Sequence, residues 1–259
     1  MPEQANDVAA PFSLDGELAI ITGGGTGLGF ATASCFLAAG ARVVITGRRT
    51  DVLNKAAAEL GPNAYAMAHD ITDLESSASL VKEIEGRYGT PTILVNNAGT
   101  HVKKTIVDTT IDDFKHVLGT HVNGAFAITQ AVVPSMRSAG HGSIIFIASM
   151  SSIIGMPMVV AYSAAKSAYL GMVRSLASEL GPHNIRVNAI APGWIETPML
   201  HKALDGDEPR KNKILSRTPQ HRFGSPRDIG LSATFLCTPA ANFINGVLLP
   251  VDGGASIGF

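Results

Sequence analysis

Seven short apolar runs punctuate the chain: ELAIIT (17–22), ARVVIT (41–46), AYAMAHD (64–70), TILVNN (92–97), SIIFIAS (143–149), IRVNAI (185–190) and GVLLPV (246–251). They are apolar throughout instead of alternating with polar residues, the pattern of strands covered on both faces. Longer segments of helical period lie between them. Three of these end on stop signals: FLAAG at Gly40, AAAELGP at Gly61 and Pro62, and ASELGP at Gly181 and Pro182. Repeated strand and helix alternation requires right-handed crossovers and predicts an α/β fold, a doubly wound parallel sheet of about seven strands with helices on both faces. Residues 1–14 read as a flexible N-terminal arm and residues 15–259 as one domain. The long stretch without strand character, about 194–222, is expected to form a lid.

Composition narrows the function classes. With 46% hydrophobic and only 16% charged residues, the chain can bury a large core. Lys plus Arg number 20 against 21 Asp plus Glu, which leaves no basic surface for a nucleic acid backbone. The two cysteines, Cys35 and Cys237, form neither a disulfide framework nor a ligand cluster and suit a reducing compartment. The histidines at 101, 121, 141 and 201 have no metal-like spacing, so no metal site is expected. The segment MPEQANDVAAPFSLDG lacks a cationic n-region and an apolar h-region, and nowhere do about 18 apolar residues run together. A cytoplasmic protein with neither membrane nor nucleic acid as partner is expected.

Three patterns carry chemistry. The first strand enters TGGGTGLG (22–29), whose Gly23, Gly27 and Gly29 leave backbone N–H groups and a helix start open to a pyrophosphate. The second strand ends in Gly47, Arg48 and Arg49, where an acid would favour a free ribose 2′-hydroxyl; arginine favours a 2′-phosphate, unless both arginines simply face water. Asp70 closes the third run, placed to meet an adenine amine or to start a turn. In VAYSAAKSAYLG (160–171), Tyr162 and Lys166 stand four positions apart on one helix face. On spacing alone the better reading is an amphipathic helix with a half-buried tyrosine beside a snorkelling lysine, since any long chain contains such pairs by chance.

Together with NNAG (96–99), HVNGAF (121–126), IIFIASMSS (144–152), APGWIET (191–197) and the terminal PVDGG, these motifs resemble the short-chain dehydrogenase/reductase family in its single-domain, Rossmann-like form. The resemblance covers about residues 14–254. It implies hydride transfer between a nicotinamide dinucleotide and a secondary alcohol or ketone. Tyr162 would be the general acid/base, and Lys166 would lower its pKa and bond the nicotinamide ribose. Ser149 would orient the substrate oxygen, and Asn123 would hold a water linking Lys166 to solvent. Gly23, Gly25, Thr26, Gly27, Leu28 and Gly29 would surround the pyrophosphate, with Arg48, Asp70 and Ile71 at the adenosine. Asn97 and Gly99 either touch cofactor or hold the end of the fourth strand. Pro192, Gly193, Ile195 and Thr197 would lie beside the nicotinamide, with Thr197 on its carboxamide. Many NADP-dependent members carry a basic residue where Thr26 stands, so NADP over NAD rests on Arg48. The family is usually tetrameric, and a homotetramer is expected.

The chain's flavour resembles the gluconate and sugar-acid branch; a 3-oxoacyl thioester reductase and a catalytically idle NAD(P)-binding regulator are the alternatives. His101, Lys103 and Lys104 follow the fourth strand, and residues 201–222 carry six Lys or Arg against three Asp or Glu. At least one of His101, Lys103 or Lys104 is expected to meet an anionic group of the substrate.

Overall fold

The computed structural model describes residues 9–197, 200, 201 and 204–258. The seven apolar runs become β1 (Leu18–Thr22), β2 (Arg42–Gly47), β3 (Ala64–Ala68), β4 (Ile93–Asn96), β5 (Gly142–Ile147), β6 (Ile185–Pro192) and β7 (Leu248–Val251). They form one parallel sheet in the order β3-β2-β1-β4-β5-β6-β7.

The unbroken apolarity of the runs follows from having two covers. Leu18 and Ile20 of β1 face a layer made by α3 (Ser76–Tyr88), α5 (Gly124–Ala139) and α6 (Val160–Leu180). Ala19 and Ile21 face the opposite layer, made by α1 (Gly27–Ala38), α2 (Thr50–Leu60) and α8 (Pro226–Cys237). Successive residues thus bury into opposite layers, each Val, Leu or Ile contributing roughly 1.5–3 kcal/mol. Helix ends follow local chemistry. Thr110 caps α4 (Ile111–Leu118) in a reciprocal capping box with Asp113, and Gly140 ends α5 in a left-handed conformation at φ +75°.

The chain leaves β1 toward β2 and β3 on one side and returns at β4 on the other, so the carboxyl ends of β1 and β4 flank the switch point where such sheets bind ligands. Two expected strands end early: β3 at Ala68 and β5 at Ile147, which places Asp70 and Ser149 in the loops of this edge.

Of the expected arm, residues 1–8 lie outside the described residues. Leu14 is already core, 1% exposed, with its N–H donating to Ala39 O at 2.7 Å. Within 194–222, Pro198, Met199, Lys202 and Ala203 lie outside the described residues. The rest carries α7 (Glu208–Arg217) and a small apolar cluster of Leu200, Leu204 and Ile214 against Trp194 and Phe223. No helix among the described residues is long and apolar enough to cross a membrane.

Candidate active site

A cavity of about 780 Å³ opens along the carboxyl edge of the sheet. At its near end the glycine turn is shaped by backbone needs. Gly23 and Gly27 have φ of +65° and +56°, and a Cβ on Gly29 would come 2.5 Å from Gly23 O. The turn is stapled to β4. Asn97 Nδ2 donates to Thr22 O at 2.8 Å and to Gly23 O at 3.1 Å, and the N–H groups of Asn97 and Ala98 donate to Thr22 Oγ1 at 3.0 Å. Asn97 thus holds the strand end while also lining the cavity.

Gly23, Gly25, Thr26, Gly27 and Leu28 line this end with Arg48, Arg49, Asp70 and Ile71; Gly29 is buried beneath them. Both arginines are exposed. Asp70 Oδ1 accepts from Thr72 N at 3.0 Å and Thr72 Oγ1 at 2.8 Å; these bonds, helped by the Arg48 charge, hold its carboxyl below the usual range. A cradle of N–H groups at a helix start fits the pyrophosphate of a dinucleotide, and two cations with no acid stand at the end of β2.

The far end is assembled from four elements. Ser149 caps a short turn after β5; its Oγ accepts from Ser151 N at 3.1 Å, and its hydroxyl lies near enough to the Tyr162 phenol to pull that phenol's pKa down. Tyr162 and Lys166 share the cavity face of α6. Burial pushes the Tyr162 phenol up, and the Ser149 hydroxyl pulls it down. Lys166 is 3% exposed and burial pushes its ammonium down to about 7. Its Nζ donates to Ile147 O at 2.6 Å and lies 5.6 Å from the Tyr162 ring centre and 4.9 Å from that of Tyr169.

Pro192, Gly193, Trp194, Ile195 and Thr197 also line the cavity. Gly193 packs where a Cβ would come 2.6 Å from Asp252 Cβ, and Asp252 in turn accepts from Gly254 N and Ser256 N, which explains the terminal DGG. Gly99 borders the cavity over the His121 ring, leaving no room for a Cβ.

Asn123 does not join this assembly. It is exposed and absent from the cavity wall, which corrects its expected place beside Lys166. The buried positions Val117, Thr120, His121, Gly124, Ala125 and Ile128 step at three and four residues through a π turn at Gly119–Asn123, and this period turns residue 123 outward. His121 faces inward instead: it is 1% exposed and sits edge-on to Tyr162, ring centres 5.5 Å apart. His116 and Thr120 line the cavity from the same helical segment. The apolar period of HVLGTHVNGAF was the signal that could have found them.

The family described as enoyl-(acyl carrier protein) reductase matches residues 23–256. A 3-oxoacyl-(acyl-carrier-protein) reductase of Thermotoga maritima is 35% identical over 94% of this chain and 99% of its own. A 2-dehydro-3-deoxy-D-gluconate 5-dehydrogenase of Dickeya dadantii is 36% identical over 94% of this chain and 96% of its own. The chain belongs to the short-chain dehydrogenase/reductase family. Among solved members, a gluconate 5-dehydrogenase from Burkholderia cenocepacia, in complex with NADP and tartrate, superposes with a TM-score of 0.92 at 32% identity, covering 96% of this chain and 98% of that one. As a family member the protein is an NAD(P)-dependent oxidoreductase of a small carbonyl or alcohol substrate.

Proposed function

We propose that the protein interconverts a secondary alcohol and a ketone on a small anionic substrate of the sugar-acid class, with NADP(H) as cofactor. The observation that carries this reading is one cavity holding Ser149, Tyr162 and Lys166 at one end and Arg48 and Arg49 at the other. The dinucleotide, when bound, supplies or accepts the hydride. Arg48 holds its 2′-phosphate, which NAD lacks. Tyr162 exchanges a proton with the substrate oxygen, and Ser149, whose hydroxyl already lowers the pKa of that phenol, orients the same oxygen. A free phenol titrates near 10, and the Lys166 ammonium favours its ionised form.

The substrate class rests on the mouth. His101, Lys103, His116 and Arg210 line it, and Asp70, at the adenosine end, is the one acid among the described lining residues. Lys104 is engaged by Asp113 at 2.7 Å and does not line the cavity, so Lys103 is the lysine left for a substrate carboxylate. The gluconate-type relatives support the same class. The segment 194–222, which contributes Trp194, Leu200 and Arg210 to the wall, is the proposed lid. Exposed Ile106, Val107, Ile111, Phe126 and Val160, on α4, α5, α6 and the approach to α4, support a homotetramer. NADPH oxidation with 5-keto sugar acids, 3-oxoacyl thioesters and neutral cyclic ketones tests the reading. The sugar acids are expected to give the highest kcat/KM. A preference for the thioesters, in line with the Thermotoga relative, would replace the sugar-acid class, and a preference for neutral ketones independent of ionic strength would remove the anionic one.

A further inference from the structure

Two unmatched groups lie in one buried cluster. The first is Lys166, which has three N–H donors to place. Among the described residues its ammonium has Ile147 O as its hydrogen-bond partner, with the faces of Tyr162 and Tyr169 around it. No carboxylate contacts it among the described residues, and burial lowers its affinity for the proton.

The second is the imidazole of His121. Two contacts compete at its Nε2: Thr100 O lies 2.6 Å away, and the Thr100 N–H is aimed at the same nitrogen from 3.1 Å. A bare nitrogen would repel a carbonyl oxygen at the shorter distance, so Nε2 carries the proton and donates it to Thr100 O. The other nitrogen, Nδ1, is then a bare acceptor, and it is buried with no hydrogen-bond partner. Leaving such an acceptor unmatched is costly, because it gives up its hydrogen bonds to water and gains none in return. The ring stays neutral because burial, and then the Lys166 charge, push its pKa down to about 3.

We propose that His121 is a positioning residue: its Nδ1 accepts a hydrogen bond from the Lys166 ammonium, directly or through one water, and so keeps Lys166 charged beside Tyr162. This rests on the reading of Tyr162 as the proton-exchanging group. The surroundings leave the task to His121. From the loop after β4 comes His101; from α4, His116; from the turn after β5, Ser149, whose hydroxyl is already engaged; and from α6, Tyr162, Lys166 and Tyr169, the last with its hydroxyl donated to His121 O at 3.0 Å. A neutral imidazole suits the role, because a protonated ring would have no acceptor and would repel the ammonium.

The test compares His121→Asn with His121→Leu. The two side chains have nearly the same shape and both lose the Thr100 bond, but the asparagine amide oxygen can stand where Nδ1 stood. Two readouts are taken: the acid limb of the kcat/KM profile for alcohol oxidation, and the ultraviolet titration of the phenols, which needs no substrate. The four tyrosines are sorted by identifying the step that Tyr162→Phe removes.

In His121→Leu both the limb and the Tyr162 step are expected to move about one unit alkaline, a roughly tenfold loss of oxidation at pH 7. His121→Asn should restore both. Equal pH profiles and equal Tyr162 titrations in the two variants would overturn the proposal and leave His121 as packing. If Tyr162→Phe itself retains near-parental turnover, the underlying reading of the site fails instead. Thermal melts separate either result from unfolding, and the phenol titration of whichever variant folds, set against the parent, still decides.

Discussion

At the end of β2, Arg48 and Arg49 stand exposed beside a glycine turn that lines the same cavity. At the opposite end Lys166 is 3% and His121 1% exposed, and each interacts through side-chain atoms within a packed cluster. The difference lies in where the electrostatics come from. At the exposed end, charge is cheap to keep and its value is realised on meeting a phosphate. At the buried end, desolvation lowers Lys166 to about 7 and raises Tyr162, so the protonation states depend on each neighbouring dipole. Substitutions at the first end should therefore change which ligand binds, and substitutions at the second should change chemistry and its pH dependence.

The largest effect is expected from Lys166→Met. Turnover should fall by about 10²-fold or more, while thermal stability becomes less dependent on pH. Because the folded-state pKa lies below the unfolded value, the unfolded chain binds the extra proton between about pH 7 and 10.5, so this residue makes stability rise with pH across that window. Denaturant melts of parent and variant from pH 6 to 10 measure the slope; an unchanged slope would mean that Lys166 is not desolvated as the structure shows.

Arg48→Ala should act on the other side of the comparison. A charge-assisted bond to a phosphate contributes roughly 1.5–3 kcal/mol, so NADPH affinity should fall about 10- to 100-fold with NADH little changed. Fluorescence titration with both cofactors reads this directly. Equal losses would make Arg48 a solvated loop residue, and a parent that prefers NADH would end the 2′-phosphate assignment.

The smallest effect belongs to Lys103→Ala. An exposed ion pair is worth up to about 1 kcal/mol, so KM for a sugar acid should rise by a few-fold, and less at high salt, with kcat nearly constant. No change in KM for any anionic substrate would shift recognition to His116 or Arg210.

The same contrast explains how much was legible from the chain. The sheet was readable because each strand is apolar on both faces, and the glycine turn because it is local: Gly23, Gly27 and Gly29 are required by φ and by close backbone approach. Tyr162, Lys166 and Ser149 follow a spacing that survives folding. Asn123 failed because a polar residue in a helix is assigned by the phase of its neighbours, and the period through Val117, His121 and Gly124 turns it outward. The same period turns His121 inward, but the partners that enclose its ring, Gly99 and Thr100, arrive from the loop after β4 and leave no mark near residue 121.

The most direct test of the account is Tyr162→Phe, which removes one hydroxyl and keeps the ring packed against His121. NADPH affinity should stay within about twofold of the parent, while turnover falls by roughly 10²–10⁴, the usual contribution of a positioned acid/base. Turnover within a few-fold of the parent would contradict the assignment of proton transfer to Tyr162.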